Sequence, residues 1–408
     1  MSTLDITTPA SIVHDGCIII KRSTRPDDIS SIHTRIALPS VREIGLFAHT
    51  THDENGEHDK SGLDKDDMPN HAWLDELVPV LSEIAQDFHF EKVTLCDFSW
   101  GCVTKSTREF LLSRFSSATH LKLCTVDFWY TNELLKTLQS FPRLTQLEIV
   151  NCEWEFLNLS QEQATRTEEL NLTHLILDEA HTQYDPVVLW LLGNGERAIV
   201  NVSSAHIVWE NTDARCLVRL MEKIAPSLRN LTYRQKVKNL VECTPTSRGL
   251  DGDELTDPSF SAVLAERWTA PENEKVATVK AMELLRTTRV NRGVLTELDA
   301  CIDWSPLAVF GIELLCQLLS HQATSVSLTL ILDSSPNDTE WDTVDELLNT
   351  LTVNKTTLAV FELWLDGDLA NSLFFDDGAP IMRRLPRLVQ QNIWQIGYVD
   401  SSYDSASD

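Results

Sequence analysis

The sequence predicts an α/β solenoid in which each repeat contributes one strand and one helix. Three observations predict it. Short apolar runs of one form recur along the middle of the chain, their centres fall about 28 residues apart, and the stretches between them carry apolar residues at helical spacing. One such repeat cannot bury its own apolar face, so neighbours must stack into a continuous core.

The runs are Phe90–Leu95, Ala118–Leu123, Leu144–Ile149, Leu172–Leu177 and Leu228–Tyr233, each L-x-x-L-x-L with conservative exchanges. Their central residues Val93, Leu121, Leu147, Leu175 and Leu231 are separated by 28, 26, 28 and 56 residues. The last interval is two periods, so a strand is expected near residue 203, and the β-branched run Ile199–Val202 is assigned to it. Three residues past the last apolar strand position stand Phe98, Val126 and Cys152, where regular leucine-rich repeats carry Asn or Cys. The expected architecture is therefore a degenerate leucine-rich-repeat solenoid of about 28 residues per repeat, with parallel strands on the concave face and helices on the convex face.

Between the strands the period changes. Trp73, Leu74, Leu77, Val80, Leu81 and Ile84 form a helical stripe, as do Phe110, Leu111 and Phe115, then Leu134, Leu135 and Leu138, then Leu217, Val218, Met221 and Ile224. Pro186 is placed to open a helix over Val187–Leu192. Looser strand copies flank the block at Val41–Leu46, Leu295–Leu298, Ser325–Leu330 and Leu358–Leu363, with helices over Leu307–Leu319 and Trp341–Leu351. The expected organisation is an atypical N-terminal segment or cap over 1–40, the array over 41–396, and an acidic disordered tail over 397–408. Two polar, Gly- and Pro-containing stretches, 51–70 and 236–271, read as exposed insertions.

Alternation along each strand selects the residues that face away from the core. They include Lys92, Thr94 and Cys96; His120, Lys122 and Cys124; Gln146 and Glu148; His174, Ile176 and Asp178; Asn230, Thr232 and Arg234; and Glu362 and Trp364. Mixed basic, acidic and apolar chemistry suits contact with a protein. Trp364 is the natural anchor, because exposed tryptophan is frequent at interface hot spots. The opposing reading has it covered by the segment holding Ile393 and Trp394. Cys96 and Cys124 occupy equivalent places in successive repeats, which makes them neighbours, either as a redox pair or as two reduced thiols.

Composition excludes several functions. With 34 basic and 61 acidic residues the formal charge is −27, which opposes nucleic acid and anionic membrane surfaces. Nine scattered cysteines without a CxxC pair, and no secretory signal, point to the cytoplasm or nucleus. No run approaches the roughly 18 apolar residues of a membrane helix. His49, His52 and His58 lie among carboxylates, but their spacing matches no strong zinc signature. P-loop, dinucleotide-binding and nucleophile-elbow motifs are absent from the sequence. No cofactor, metal or catalytic residue is expected, and the chain reads as a non-enzyme.

The runs Phe88–Trp100, Ala118–Phe128 and Phe141–Cys152, with the helix Trp73–Leu81 before them, resemble the repeat region of fungal F-box/leucine-rich-repeat-like proteins over about Val41–Leu365. That resemblance implies a substrate-recognition adaptor that would recruit ubiquitin-ligase subunits. The family's N-terminal F-box, a helical motif opening with Leu-Pro, has no counterpart here, since Leu38-Pro39 leads directly into a strand. A second, weaker resemblance is to ribonuclease-inhibitor-like arrays, which share the repeat length, the acidity and free cysteines. The expectation is thus a non-enzymatic protein-binding scaffold. The alternatives are an enzyme with an unrecognised site in the insertions, or a non-functional paralogue.

Overall fold

The structure, a computed structural model, describes residues 13–14, 16–30, 41–48, 71–87, 89–156, 170–178, 185–193, 199–210, 214–236, 282–288, 294–304, 308–319, 323, 325–332, 341–346, 360–366, 383, 385–386 and 394–399. The expected insertions (but for Lys236, the last residue of a strand), the tail beyond Val399 and the histidine-rich stretch 49–58 lie outside these residues. The chain forms two compact units, Met1–Val208 and Trp209–Asp408. Both are α/β, each built on a parallel sheet.

In the first unit the short strand β1 (Val13–His14) pairs antiparallel with β2 (Cys17–Lys21). All further sheet neighbours are parallel: β3 (Glu43–Phe47), β4 (Lys92–Cys96), β5 (His120–Cys124), β7 (Gln146–Val150), β10 (His174–Asp178) and β12 (Ser204–Glu210). The parallel sheet thus begins at Cys17, inside the segment read from sequence as a cap. In the loops beyond β5 and β7, β6 (Asp127–Tyr130) pairs with β8 (Glu153–Phe156) as a separate short ladder.

Register follows from burial. Val93, Leu121, Leu147 and Leu175 are aligned as direct partners, and all are at most 1% exposed. A shift of one residue would turn every one of these side chains to solvent, so one apolar face specifies the pairing. Burying each such side chain stabilises by roughly 1.5–3 kcal/mol. The helices Ala72–Asp87, Lys105–Arg114, Thr131–Gln139 and Asp185–Leu192 alternate with the strands and bury the leucines of their apolar stripes, among them Leu74, Leu111, Leu134 and Leu191. Thr104 caps Lys105–Arg114 by accepting from the Thr107 N–H, and Gly193, at φ 55°, ends Asp185–Leu192 in the left-handed conformation.

One strand departs from the sequence reading. The strand expected at Ile199–Val202 is β12, Ser204–Glu210, with Ala205 as the register partner of Leu175. Ile199–Val200 (β11) pairs instead with Leu170–Asn171 (β9) in a ladder of its own. Between β11 and β12 the chain turns at Asn201, φ 65°, whose Nδ2 donates to Asn171 Oδ1 at 3.0 Å. Val202, Ala205 and Ile207 carry the buried face at the L-x-x-L-x-L places. The β-branched run is the more conspicuous signal, but register is chosen by what reaches the core.

A hydroxyl ladder binds successive strand entries. Thr119, Thr145, Thr173 and Ser203 stand just before their strands. Each donates its side-chain hydroxyl to a carbonyl one repeat earlier, those of Glu91, Thr119, Thr145 and Thr173, at 3.0–3.3 Å. The backbone N–H of each donates to the same carbonyl. Phe98, Val126 and Cys152 are fully buried, so the place of a polar ladder beyond the strands is filled by packing, and the polar ladder sits at the strand entries instead.

The second unit repeats the scheme with β13 (Asn230–Lys236), β14 (Glu297–Asp303), β15 (Ser325–Leu332), β16 (Val360–Asp366) and β17 (Trp394–Val399), all parallel neighbours. Its helices include Ala214–Ile224 and Ala308–Leu318. Tyr233 and Gln235 of β13 point into the core, where the Tyr233 hydroxyl donates to Gln235 Oε1 at 3.0 Å. That oxygen lies where a side chain on Gly311 would begin, so glycine is what lets the helix approach. Among the described residues no helix is long and apolar enough to cross a membrane.

Candidate functional site: the outward strand faces

The residues singled out from sequence divide between the two units. Lys92, Thr94, His120, Lys122, Gln146, Glu148, His174, Ile176 and Asp178 share one face of the first sheet, each partly exposed while its strand neighbours are buried. In-register pairing arranges them in rows. One row runs Glu43, Lys92, His120, Gln146, His174, Ser204; the next runs Gly45, Thr94, Lys122, Glu148, Ile176, His206.

Glu148 is the electrostatic centre of this face. Its Oε1 accepts from His120 Nε2 at 2.7 Å and its Oε2 from Lys122 Nζ at 3.1 Å. The His120 hydrogen bond, with that of Lys122, outweighs the cost of burial and holds the carboxyl down at about 2. The carboxylate is 12% exposed and Lys122 is 35% exposed, so the pair sits at the water boundary. His174 is held below the usual imidazole range, first by burial and then by His120 and His206, with Glu148 opposing them. Lys92 pairs with Glu43 at 3.4 Å, and His206 Nε2 stands 3.4 Å from Asp178 Oδ2 without the alignment of a hydrogen bond. The Phe47 ring lies over Gly45, where any side chain would begin 2.6 Å from it. The His120–Glu148 contact and the Lys122–Glu148 pair set charged and polar groups side by side on this face. The arrangement is suited to binding polar and charged groups along a surface.

Cys96 and Cys124 are direct register partners, as their repeat positions imply. Both are free and partly exposed.

On the second unit, Asn230 and Arg234 are exposed and Thr232 is partly exposed on the outward side of β13. Glu362 and Trp364 are partly exposed on β16, where Trp364 Nε1 donates to Glu362 Oε2 at 2.9 Å. Trp364 is the register partner of Gly397, whereas Trp394 is the partner of Phe361. At that position β17 carries a glycine, while β15, on the other side, carries Ile331. The sequence reading missed His206 and Ser204, because β12 was assigned to the wrong run. The signal that would have found them is Val202-x-x-Ala205-x-Ile207, in which a small central residue weakens the motif.

Among the described residues, no group of three or more His, Cys, Asp or Glu side chains is placed to hold a metal ion. No family model matches the chain, and no curated protein is significantly similar to it in sequence.

Proposed function

We propose that the chain is a degenerate leucine-rich-repeat-type solenoid that works as a non-enzymatic scaffold, binding another protein on its outward strand face. The observation that carries this reading is the set of in-register rows, in which His120, Lys122, Glu148, Ile176 and Asp178 are held part-exposed on rigid strands. A surface pre-ordered by a sheet loses little entropy on binding. The net charge of −27 favours a partner with a basic surface, which complementary fields bring in faster. Eight free cysteines among the described residues favour a reducing compartment, cytoplasm or nucleus. The adaptor version, in which the partner is a substrate delivered to a ubiquitin ligase, rests on the resemblance of the repeat region to F-box/leucine-rich-repeat-like proteins.

The test compares capture from native extract by the wild-type chain, by a face variant carrying Lys122→Glu and Ile176→Glu, and by a helix control carrying Lys105→Glu. A partner retained by wild type and control but lost at least tenfold by the face variant supports the reading. Equal capture by all three, or none by any, overturns it. Ligase subunits among the face-dependent partners would support the adaptor version.

A further inference from the structure

Cys96 and Cys124 close the outward faces of β4 and β5 as the last residues of adjacent, in-register strands. Neighbouring strands are about 4.8 Å apart, inside the roughly 4.4–6.8 Å Cα window of a disulfide. Immediately after each cysteine the chain leaves the strand through a left-handed residue, Asp97 at φ 61° and Thr125 at φ 51°. Both thiols are partly exposed, so a small reagent can reach them from the open face.

We propose that Cys96 and Cys124 form a two-thiol modification site that exchanges with low-molecular-weight disulfides of the glutathione class. This site is independent of the scaffold reading above. In the first step the Cys124 thiolate attacks one sulfur of the small disulfide. A Cys124–sulfur bond forms, the reagent's S–S bond breaks, and one thiolate leaves and takes up a proton. In the second step Cys96, having lost its proton to water, attacks Cys124 Sγ. The Cys96–Cys124 bond forms and the second thiolate leaves and is protonated. The two cysteines are together oxidised by two electrons, and one small disulfide is reduced to two thiols.

The surroundings assign the order of attack. The neighbouring Cys96 side chain, with Thr125 and Lys122 and against burial and Asp97, holds Cys124 below the ordinary thiol range. Cys96 is pushed up by the same contact, by burial and by Asp97, whose Oδ2 accepts from its thiol at 3.4 Å. Cys152, on the next repeat, is buried and pushed up to about 12, and Val150 is the register partner on the other side. Against an ordinary thiol near neutral pH, Cys124 gains in thiolate fraction but loses in nucleophilicity, so its net advantage is small. Cys301, by contrast, is pushed up by burial to about 11. What distinguishes the site is therefore the resolving neighbour more than the rate.

The full chain is exposed to oxidised glutathione near neutral pH and mapped by peptide mass spectrometry. In the wild type the expected product is a loss of two hydrogen masses linking the Cys96 and Cys124 peptides, reversed by dithiothreitol. Cys96→Ser should stop at a glutathione adduct on Cys124, and Cys124→Ser should leave Cys96 unmodified. An unmodified Cys124 in folded wild type, or adducts spread equally over Cys17, Cys102 and Cys124, overturns the proposal. Should a variant fail to fold, iodoacetamide labelling of the wild type decides: Cys124 alkylated faster than Cys301 supports the site, and equal or slower alkylation overturns it.

Discussion

Replacing Glu148 by Gln removes a charge and leaves the shape. The carboxyl moves from an ordinary 4.5 to about 2 on folding, because His120 and Lys122 donate to its two oxygens. At about 1.36 kcal/mol per unit this corresponds to roughly 3 kcal/mol of stabilisation when the group is ionised. Lys122 is 35% exposed, and screening there reduces the expected loss to about 2 kcal/mol at pH 7. The sign is set by the depressed pKa: the contribution is present above the unfolded value and is lost as pH falls from about 5 toward 2. By pH 3 less than about half of it remains. Urea unfolding of wild type and Glu148→Gln, followed by circular dichroism at pH 7 and pH 3, reads the difference directly. Other carboxylates titrate alike in both chains and cancel. A gap below about 0.5 kcal/mol at pH 7, or a gap of equal size at the two pH values, would refute the assignment of Glu148 as the ionised centre of this face.

Three further outcomes follow from the packing. Thr145→Val deletes one rung of the hydroxyl ladder while the Thr145 N–H still satisfies the Thr119 carbonyl. The cost in urea unfolding should be about 0.5–1 kcal/mol, because no buried group is orphaned. Gly311→Ala gains about 1 kcal/mol of helix propensity but drives a methyl into Gln235 Oε1, which is buried and held by Tyr233. The net effect should be a loss of about 1–2 kcal/mol, and a thermal midpoint at or above wild type would contradict it. Gly101→Ala drives a methyl into the Trp129 ring, and because Trp129 is 37% exposed the ring should swing outward at little cost in stability. A red shift and stronger quenching of tryptophan emission would report it.

The open strand face was readable because alternation has a period of two. Once Val93, Leu121, Leu147 and Leu175 are recognised as one buried column, the residues between them have nowhere to point but outward. Alternation does not say what those residues do to each other. That Glu148 collects both His120 and Lys122 depends on the register of β5 against β7, which pairs Lys122 with Glu148 and sets His120 one place away diagonally. The hydroxyl ladder was present in the text as Thr119, Thr145 and Thr173 before each strand, but a threonine becomes a rung only when the preceding repeat presents its carbonyl.

By itself the sequence determined the α/β class, the period of about 28 residues between Val93 and Leu175, and the face on which Lys92 through Asp178 emerge. These follow from local patterns of burial, which a linear chain records. Tertiary structure alone decided that β12 begins at Ser204 and that the parallel sheet reaches back to Cys17. Each of these depends on which strand lies next to which. That neighbourhood is chosen by summed packing and hydrogen bonding across repeats, and no single run of residues carries it.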